Sequence, residues 1–191
     1  KKTSSNPTVT DGNASYSFEG ATFGVYSDKG CNSQLATLTA DGNGDTKEVE
    51  VKAGTVYIKE LSAPKGYKLD STVHALNVEA GKTATLTVAD TPKVTETLID
   101  LFKIDMETGK STPQGTSLEG AEFTWSYYDG YYNADNLPAK ATRTWTTKTV
   151  AEKDSDGTIH YVSRLADSYK VSGDSFYTQD GKNVLPLGTL T

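Results

Sequence analysis

The sequence predicts an all-β protein made of two tandem β-sandwich domains, and three observations lead to this prediction. Threonine and tyrosine, which favour pleated and half-buried strands, make up 28 and 11 of the 191 residues. Apolar and polar residues alternate in short runs that are separated by glycine-containing turn signals. A motif also recurs with an offset of 100 residues, which indicates two copies of one domain.

The individual strands are predicted from two-residue alternation, because successive side chains of a strand point to opposite faces. We predict strands within residues 46–51, 55–58 and 83–88. Turn signals rich in Gly, Pro, Asn and Asp lie beside them, at residues 41–44, 53–54, 64–66 and 80–81. Short strands with such frequent turns are typical of a β-sandwich or barrel, and no long run has helical spacing.

The composition excludes several classes of function. The formal charge is −6 without a basic stripe, which argues against nucleic acid and anionic membranes as partners. No apolar run approaches the ~18 residues of a membrane-spanning helix. Cys31 is the only cysteine, which excludes an intrachain disulfide and a cysteine-rich zinc site. Only two histidines are present, His74 and His160, so we expect no metal and no cofactor.

The internal repeat sets the domain count. Residues 18–23 (Phe-Glu-Gly-Ala-Thr-Phe) match residues 118–123 (Leu-Glu-Gly-Ala-Glu-Phe). Aligning Lys2 with Lys103 brings the two motifs into register to within one residue. Two copies of one β domain are the economical interpretation.

The domain boundaries follow from the same alignment. We place the first domain at residues 1–93 and the second at 96–191. The junction lies near residues 91–96, a short polar link that contains a proline. Residues 54–57 (Gly-Thr-Val-Tyr) match residues 188–191 (Gly-Thr-Leu-Thr). Because equivalents of residues 58–90 are absent from the second copy, we expect its sandwich to be truncated before its last strands or completed by another chain.

The most informative segment is residues 57–67, in which Glu60 is followed by Ala-Pro-Lys-Gly-Tyr. Together with the motif at 18–23 and Val-Ala-Asp-Thr-Pro at 88–92, it resembles the CnaB-like (SpaA-type) domains of Gram-positive surface adhesins and pilins. Those domains carry a motif called the E-box, in which a Glu is followed by Ala-Pro-x-Gly-Tyr. They also carry a lysine on the first strand. The resemblance implies two tandem Ig-like (CnaB/prealbumin-like) β-sandwiches, the second incomplete.

The resemblance also implies a self-formed isopeptide bond between a lysine and an Asp or Asn side chain. It suggests Lys2 as the nucleophile, Glu60 as the catalyst that shuttles protons and Asp90 as the acceptor. Lys1 remains open as an alternative nucleophile. In the second domain it suggests Lys103, whose acceptor is absent from this sequence. Because the bond forms only once, the protein is not expected to act as an enzyme.

This chemistry is consistent with burial of the three groups. A lysine with the ordinary pKa of ~10.4 is protonated and is not nucleophilic at neutral pH. Burial disfavours the charged forms of amines and carboxyl groups alike, so that a neutral amine can attack a protonated carboxyl. Folding supplies the proximity, which can lower the barrier by roughly 7–11 kcal/mol.

The function implied by the resemblance is structural. We expect spacer or stalk domains of a secreted, cell-wall-attached adhesin or pilus-like protein on the surface of a Gram-positive bacterium. The expected partners are neighbouring domains of the same surface protein and the missing C-terminal strands of the second domain. Neither nucleic acid nor a membrane is expected to contact this segment.

The alternative is a module that binds carbohydrate or host matrix through an aromatic insertion at residues 125–138. Tyr128, Tyr131 and Tyr132 are its candidate ligand contacts, because stacked aromatic rings can form a platform for a sugar. Aromatic side chains that pair across a hairpin are the simpler explanation of the same cluster.

Overall fold

The computed structural model describes residues 1–111 and 117–191, and it confirms the all-β prediction. The chain divides into two compact units, unit 1 (Lys1–Lys93) and unit 2 (Val94–Thr191). Strands dominate both units, and the α-helices of the described residues are short. No helix in the described ranges is both long and apolar enough to cross a membrane.

Unit 1 contains an antiparallel sheet, a parallel strand pair and one short helix. Its elements are β1 (Lys2–Ser4), α1 (Pro7–Thr10), β2 (Thr22–Tyr26), β3 (Gln34–Thr39), β4 (Gly54–Ser62), β5 (Val73–Val78) and β6 (Val88–Asp90). The antiparallel sheet has the order β3–β2–β4–β5, and β1 pairs with β6 in parallel. The β4–β5 hairpin contains the predicted turn signal at 64–66, whereas the β2–β3 hairpin turns at residues 27–33, where no turn was predicted. The parallel pair joins the two ends of the unit.

Strand β2 is the centre of the antiparallel sheet and is buried on both faces. Phe23 and Val25 are on one face of β2, where Ile58 of β4 is directly opposite Val25. On the other face the ring of Tyr26 covers Gly24, where a Cβ would be only 2.5 Å from the ring. A glycine at position 24 is therefore what allows the tyrosine to pack against the sheet.

The parallel pair β1–β6 places side chains from both ends of unit 1 on one face. Lys2 is opposite Val88 and Ser4 is opposite Asp90. Val88 and Asp90 are buried while Ala89 between them is exposed, as the two-residue period of a strand requires. Lys2 and Asp90 therefore share the inner face, two positions apart along the pair.

Two of the predicted strands are wrong in whole or in part. In the run at 46–51 only Thr46 is paired, in an isolated bridge to Ala40, and in the run at 83–88 only Val88 belongs to a strand. Both segments instead line a cavity of about 880 Å³ against the inner face of β2 and β4. Alternation indicates which side chains face inward, but a strand also needs a hydrogen-bonded neighbour, which local sequence does not reveal.

Unit 2 is also built from short strands. Its elements are β7 (Val94–Glu96), β8 (Asp100–Lys103), β9 (Glu122–Tyr128), β10 (Arg143–Lys148), β11 (Val150–Lys153), β12 (Ile159–Arg164), α2 (Ser168–Ser172), β13 (Tyr177–Gln179), β14 (Lys182–Pro186) and β15 (Thr189–Leu190). The strands form sheets with the orders β10–β9–β15, β11–β12–β8 and β13–β14–β7. The core consists of buried apolar side chains, namely Trp125, Tyr127, Trp145, Leu165, Phe176 and Leu185.

The aromatic segment at 125–138 is not a single insertion, which corrects the sequence analysis. Strand β9 continues to Tyr128, and both Trp125 and Tyr127 are buried in the core of unit 2. Their alternation with half-buried neighbours is that of an ordinary sheet strand. The chain leaves the sheet only after Tyr128, and part of the following segment forms a 3-10 turn at Ala134–Asn136.

The backbone contact between Gly44 and β1 yields a first prediction. Lys2 donates its backbone N–H to the Gly44 carbonyl at 2.7 Å, and a Cβ at Gly44 would be 2.2 Å from the Lys2 carbonyl oxygen. Gly44→Ala is therefore expected to lower the stability of unit 1 by roughly 2 kcal/mol or more. Calorimetry is the suitable measurement. Tryptophan fluorescence would not report on unit 1, because both tryptophans, Trp125 and Trp145, are in unit 2.

Gly81→Ala is the matched control for this prediction. Gly81 has a φ of +74°, close to the +79° of Gly44, but no atom lies within 4 Å of its added Cβ. It should therefore lose only about 1–2 kcal/mol, the strain of a left-handed backbone. Equal losses in the two variants would contradict a specific contact between Gly44 and β1.

Candidate functional site

Three side chains from separate strands meet in the interior of unit 1. Lys2 is on β1, Glu60 on β4 and Asp90 on β6. The Lys2 Nζ atom is 2.8 Å from Glu60 Oε1, and it donates a short hydrogen bond to Asp90 Oδ1. The three residues are 0%, 3% and 1% exposed, so that the cluster is closed to solvent.

The strand registers explain why these side chains converge. Lys2 and Asp90 share the inner face of the parallel pair, as described above. Glu60 is directly opposite Phe23 in the β2–β4 pairing, just after an irregularity between Thr22 and Phe23. The Lys2 Nζ atom lies over the Phe23 ring at 5.1 Å from its centroid. The aromatic ring therefore forms one wall of the site, with the two carboxyl groups as the polar contacts of the amine.

Burial changes the protonation of Asp90. Removal from water raises the pKa of Asp90 from 3.8 to about 6, which outweighs the opposing effect of the Lys2 cation. The neighbouring Glu60 carboxyl adds to the increase. Asp90 Oδ2 is buried and accepts no hydrogen bond from the described groups.

The two oxygens of Glu60 have different surroundings. Oε2 accepts a hydrogen bond from the backbone N–H of Asp70 at 2.7 Å. Oε1 faces the Lys2 amine. One oxygen is thus anchored on the backbone, and the other lies beside the Lys2 amine.

Tyr67, the last residue of the Ala-Pro-Lys-Gly-Tyr segment, is buried beside strand β1. Tyr67 is 1% exposed, and its ring packs against Phe18 and Tyr16 at centroid distances of 5.4 and 5.5 Å. Its hydroxyl is hydrogen-bonded to Ser4 and Thr10, while burial raises the pKa of Tyr67. Because Ser4 is on β1, the tyrosine connects the loop at residues 63–67 to the strand that carries Lys2.

The two other candidate lysines have different surroundings from Lys2. The Lys1 amine is exposed and forms an ion pair with Asp45 at 2.7 Å. Lys103 is half-buried on β8, opposite Tyr161 of β12. Within residues 1–111 and 117–191 no ion pair of Lys103 is found. Of the three lysines, Lys2 is therefore the one that lies between two buried carboxyl groups.

The other candidate groups do not form a comparable cluster. His74 pairs with Asp70 and His160 with Asp154, while Cys31 is a half-exposed free thiol. Among the described residues, no three His, Cys, Asp or Glu side chains are arranged to hold a metal ion.

The tyrosines of the aromatic segment do not form a flat platform. Tyr131 is 67% exposed, whereas Tyr128 and Tyr132 are half-buried. The rings of Tyr128 and Tyr132 pack edge to face, with an interplanar angle of 71° and centroids 6.2 Å apart. The two tyrosines are four residues apart and Tyr132 lies outside the strands, so this is a local contact and not a pairing of aromatic side chains across a hairpin.

Comparison with a family model gives a match over most of the first unit. Residues 7–92 match the model described as the SpaA prealbumin-like fold domain. This part of unit 1 is therefore similar to that family. The matched range contains Glu60 and Asp90 of the cluster, whereas Lys2 lies outside it.

Comparison with solved structures gives distant matches. The Bacillus anthracis TIE protein is 23% identical with a TM-score of 0.48, over 84% of this chain and 24% of that chain. Two crystal structures of a C-terminal fragment of the pilus adhesin SpaC from Lactobacillus rhamnosus GG are 18% and 17% identical, with TM-scores of 0.44 and 0.40. They cover 85% and 93% of this chain and 70% and 76% of the fragment. No curated protein matches the chain.

The raised pKa of Asp90 yields a second prediction, which is tested in the Glu60→Gln protein. We use this variant because we expect its Lys2 and Asp90 side chains to remain unlinked. A folded-state pKa above the ordinary 3.8 means that folding takes up a proton at Asp90. The resulting stability is fully present below pH 3.8 and is lost as the pH rises through the folded-state pKa of Asp90, which burial, the largest cause, still raises when Glu60 is replaced. Urea unfolding between pH 3.5 and 7 measures this loss.

The control is Glu60→Gln combined with Asp90→Asn, which has no carboxyl at position 90. The difference in unfolding free energy between the two proteins reports the contribution of Asp90 alone. It cancels the contributions of carboxylates that both proteins share, such as Asp28 and Asp156, whose pKa values are lowered. A difference that does not change with pH over this range would contradict the raised pKa.

Proposed function

We propose that unit 1 forms an intramolecular isopeptide bond between Lys2 Nζ and Asp90 Cγ, and that it acts as a covalently locked structural spacer. The observation that supports this is the closed cluster of Lys2, Glu60 and Asp90, in which the amine contacts both carboxyl groups. In a structural ion pair alone, removing two charges from water costs much of what their attraction gains. A reaction that ends in a neutral amide removes that cost.

The reaction balances within the three groups. The neutral Lys2 amine attacks Cγ of the protonated Asp90 carboxyl and forms the C–N bond. Glu60 accepts a proton from the nitrogen through Oε1 and returns it to the departing hydroxyl, so that the C–O bond breaks and one water leaves. Glu60 ends in its starting protonation state, and no oxidant, metal or cofactor is needed. The bond forms once per molecule, which distinguishes the protein from an enzyme with turnover.

The consequence is a link between the first and last strands of unit 1. The two residues are 88 positions apart in sequence. By the loop-entropy relation used for disulfides, closing a loop of this length stabilises the fold by roughly 4–5 kcal/mol. Tension that enters at β1 and leaves at β6 would pass through the bond rather than through the antiparallel sheet. Such a unit suits a stalk that must resist extension.

The same reasoning extends to the setting of the chain. We infer a segment of a secreted, cell-wall-attached adhesin or pilus-like protein of a Gram-positive bacterium, whose flanking domains are its main partners. The match of residues 7–92 to the SpaA prealbumin-like fold domain supports this inference. In unit 2, Lys103 is the candidate nucleophile of a second site.

The bond predicts a loss of mass. The intact protein should weigh one water less than its sequence, because condensation of Lys2 with Asp90 expels one water. Glu60→Ala should restore the full mass, because the amine and the carboxyl then lack their proton relay. Lys2→Ala should restore it as well. Intact-mass spectrometry under denaturing conditions makes the measurement.

Lys1→Ala is the matched control, since Lys1 precedes Lys2 but pairs with the exposed Asp45. This variant should keep the loss of water. A wild-type mass equal to that of the sequence would overturn the proposal. A full mass in Lys1→Ala would show that the bond requires Lys1 and that its assignment to Lys2 is wrong.

A further inference from the structure

The loop that follows the Glu60 strand returns to contact the Glu60 carboxyl. The backbone N–H of Asp70 donates to Glu60 Oε2 at 2.7 Å, and this is the backbone contact that fixes one end of the carboxyl. In the β4–β5 pairing Lys59 is opposite Val73, the first residue of β5. Asp70 therefore lies in the turn that immediately precedes β5. This turn is next to the point where the pairing of β4 with β5 ends.

The side chain of Asp70 holds this turn in place. Its Oδ1 accepts a hydrogen bond from the Thr72 backbone N–H at 3.0 Å, and its Oδ2 is 3.1 Å from His74 Nε2. The hydrogen bonds with Thr72 and then His74 hold the pKa of Asp70 below its ordinary value. The carboxylate thus stays ionised at mildly acidic and neutral pH, and its two contacts keep the turn closed. His74 is anchored in turn on β5, where it is opposite Ile58 of β4.

We propose that Asp70 is a positioning residue for the Lys2–Asp90 condensation, because its turn holds the backbone N–H that anchors Glu60 Oε2 and leaves Oε1 facing the reacting groups. This inference depends on the proposed function. A glutamate has three rotatable side-chain bonds, and without the anchor its carboxyl could rotate away from Lys2. The anchor defines which oxygen relays the proton, and it does so through a residue that touches neither reacting atom.

Two substitutions at Asp70 separate positioning from general stability. Asp70→Ala removes both acceptors, so that the turn and the N–H that contacts Glu60 are no longer held. Asp70→Asn keeps an oxygen for the Thr72 N–H, and its amide NH₂ can donate to a neutral His74 ring. We expect Asp70→Ala to slow bond formation by about tenfold or more, because small displacements of reacting groups can cost up to ~100-fold in rate. Asp70→Asn should restore a rate close to that of the wild type.

The rate is measured on newly made protein. The full chain is synthesised in a cell-free system with a pulse of labelled amino acid, samples are quenched in acidic denaturant, and the loss of one water is followed over time by mass spectrometry. Asp28→Ala is the matched control. Asp28 also accepts loop N–H groups, from Asn32 at 3.1 Å and Ser33 at 2.8 Å, but it lies in an exposed turn outside the site. This control should react at the wild-type rate.

Each outcome has a defined meaning. If the wild type loses water and Asp70→Ala does so at the same rate, the positioning role is wrong and the proposed function stands. If Asp70→Ala and Asp70→Asn are equally slow, a merely structural role replaces the positioning role. If the wild type never loses water, the proposed function fails and this inference fails with it. Slow reaction in Asp70→Ala with recovery in Asp70→Asn supports the inference.

Discussion

The removal of Lys2 from water is the constraint on which unit 1 depends. A lysine amine with no exposed surface must be matched by acceptors from the protein, and here Glu60 and Asp90 provide them. Much of the surrounding structure serves this match. The parallel β1–β6 pair aligns Lys2 with Asp90, Gly44 lets the backbone of β1 approach closely, and the Tyr67 hydroxyl fixes Ser4 of the same strand.

The same constraint connects stability with chemistry. A buried ion pair contributes little to stability when its desolvation cost is included, and it becomes strongly destabilising when one partner is removed. The proposed conversion of the pair into an amide would eliminate both charges and leave a covalent link between the ends of the unit. In a chain with a single cysteine, this link would serve as a disulfide does in many extracellular domains. This explains physically why a spacer would retain a cluster that is costly before it reacts.

The sequence was sufficient for the fold class and for the residues of the cluster, but not for several contacts around them. Glu60 and Asp90 were found through ordered motifs, and Lys2 through its alignment with Lys103 and the first-strand lysine of the domains that the sequence resembles. The runs at 46–51 and 83–87 alternate like strands, yet pairing depends on neighbours distant in sequence. Trp125 and Tyr127 were misassigned to an insertion, because an aromatic run is compatible with either a strand or a loop. The Asp70 anchor is a backbone donor, which a motif of side chains does not record, although Asp followed two residues later by Thr is a recognisable turn signal.

The most direct test of the central claim is tandem mass spectrometry of proteolytic fragments of the wild-type protein. The account predicts a branched peptide in which the side chain of Lys2 is joined to that of Asp90 with the loss of one water, while the side chain of Lys1 is unmodified. Linear peptides that contain Lys2 and Asp90 at their full masses, or a branch at another lysine, would contradict it.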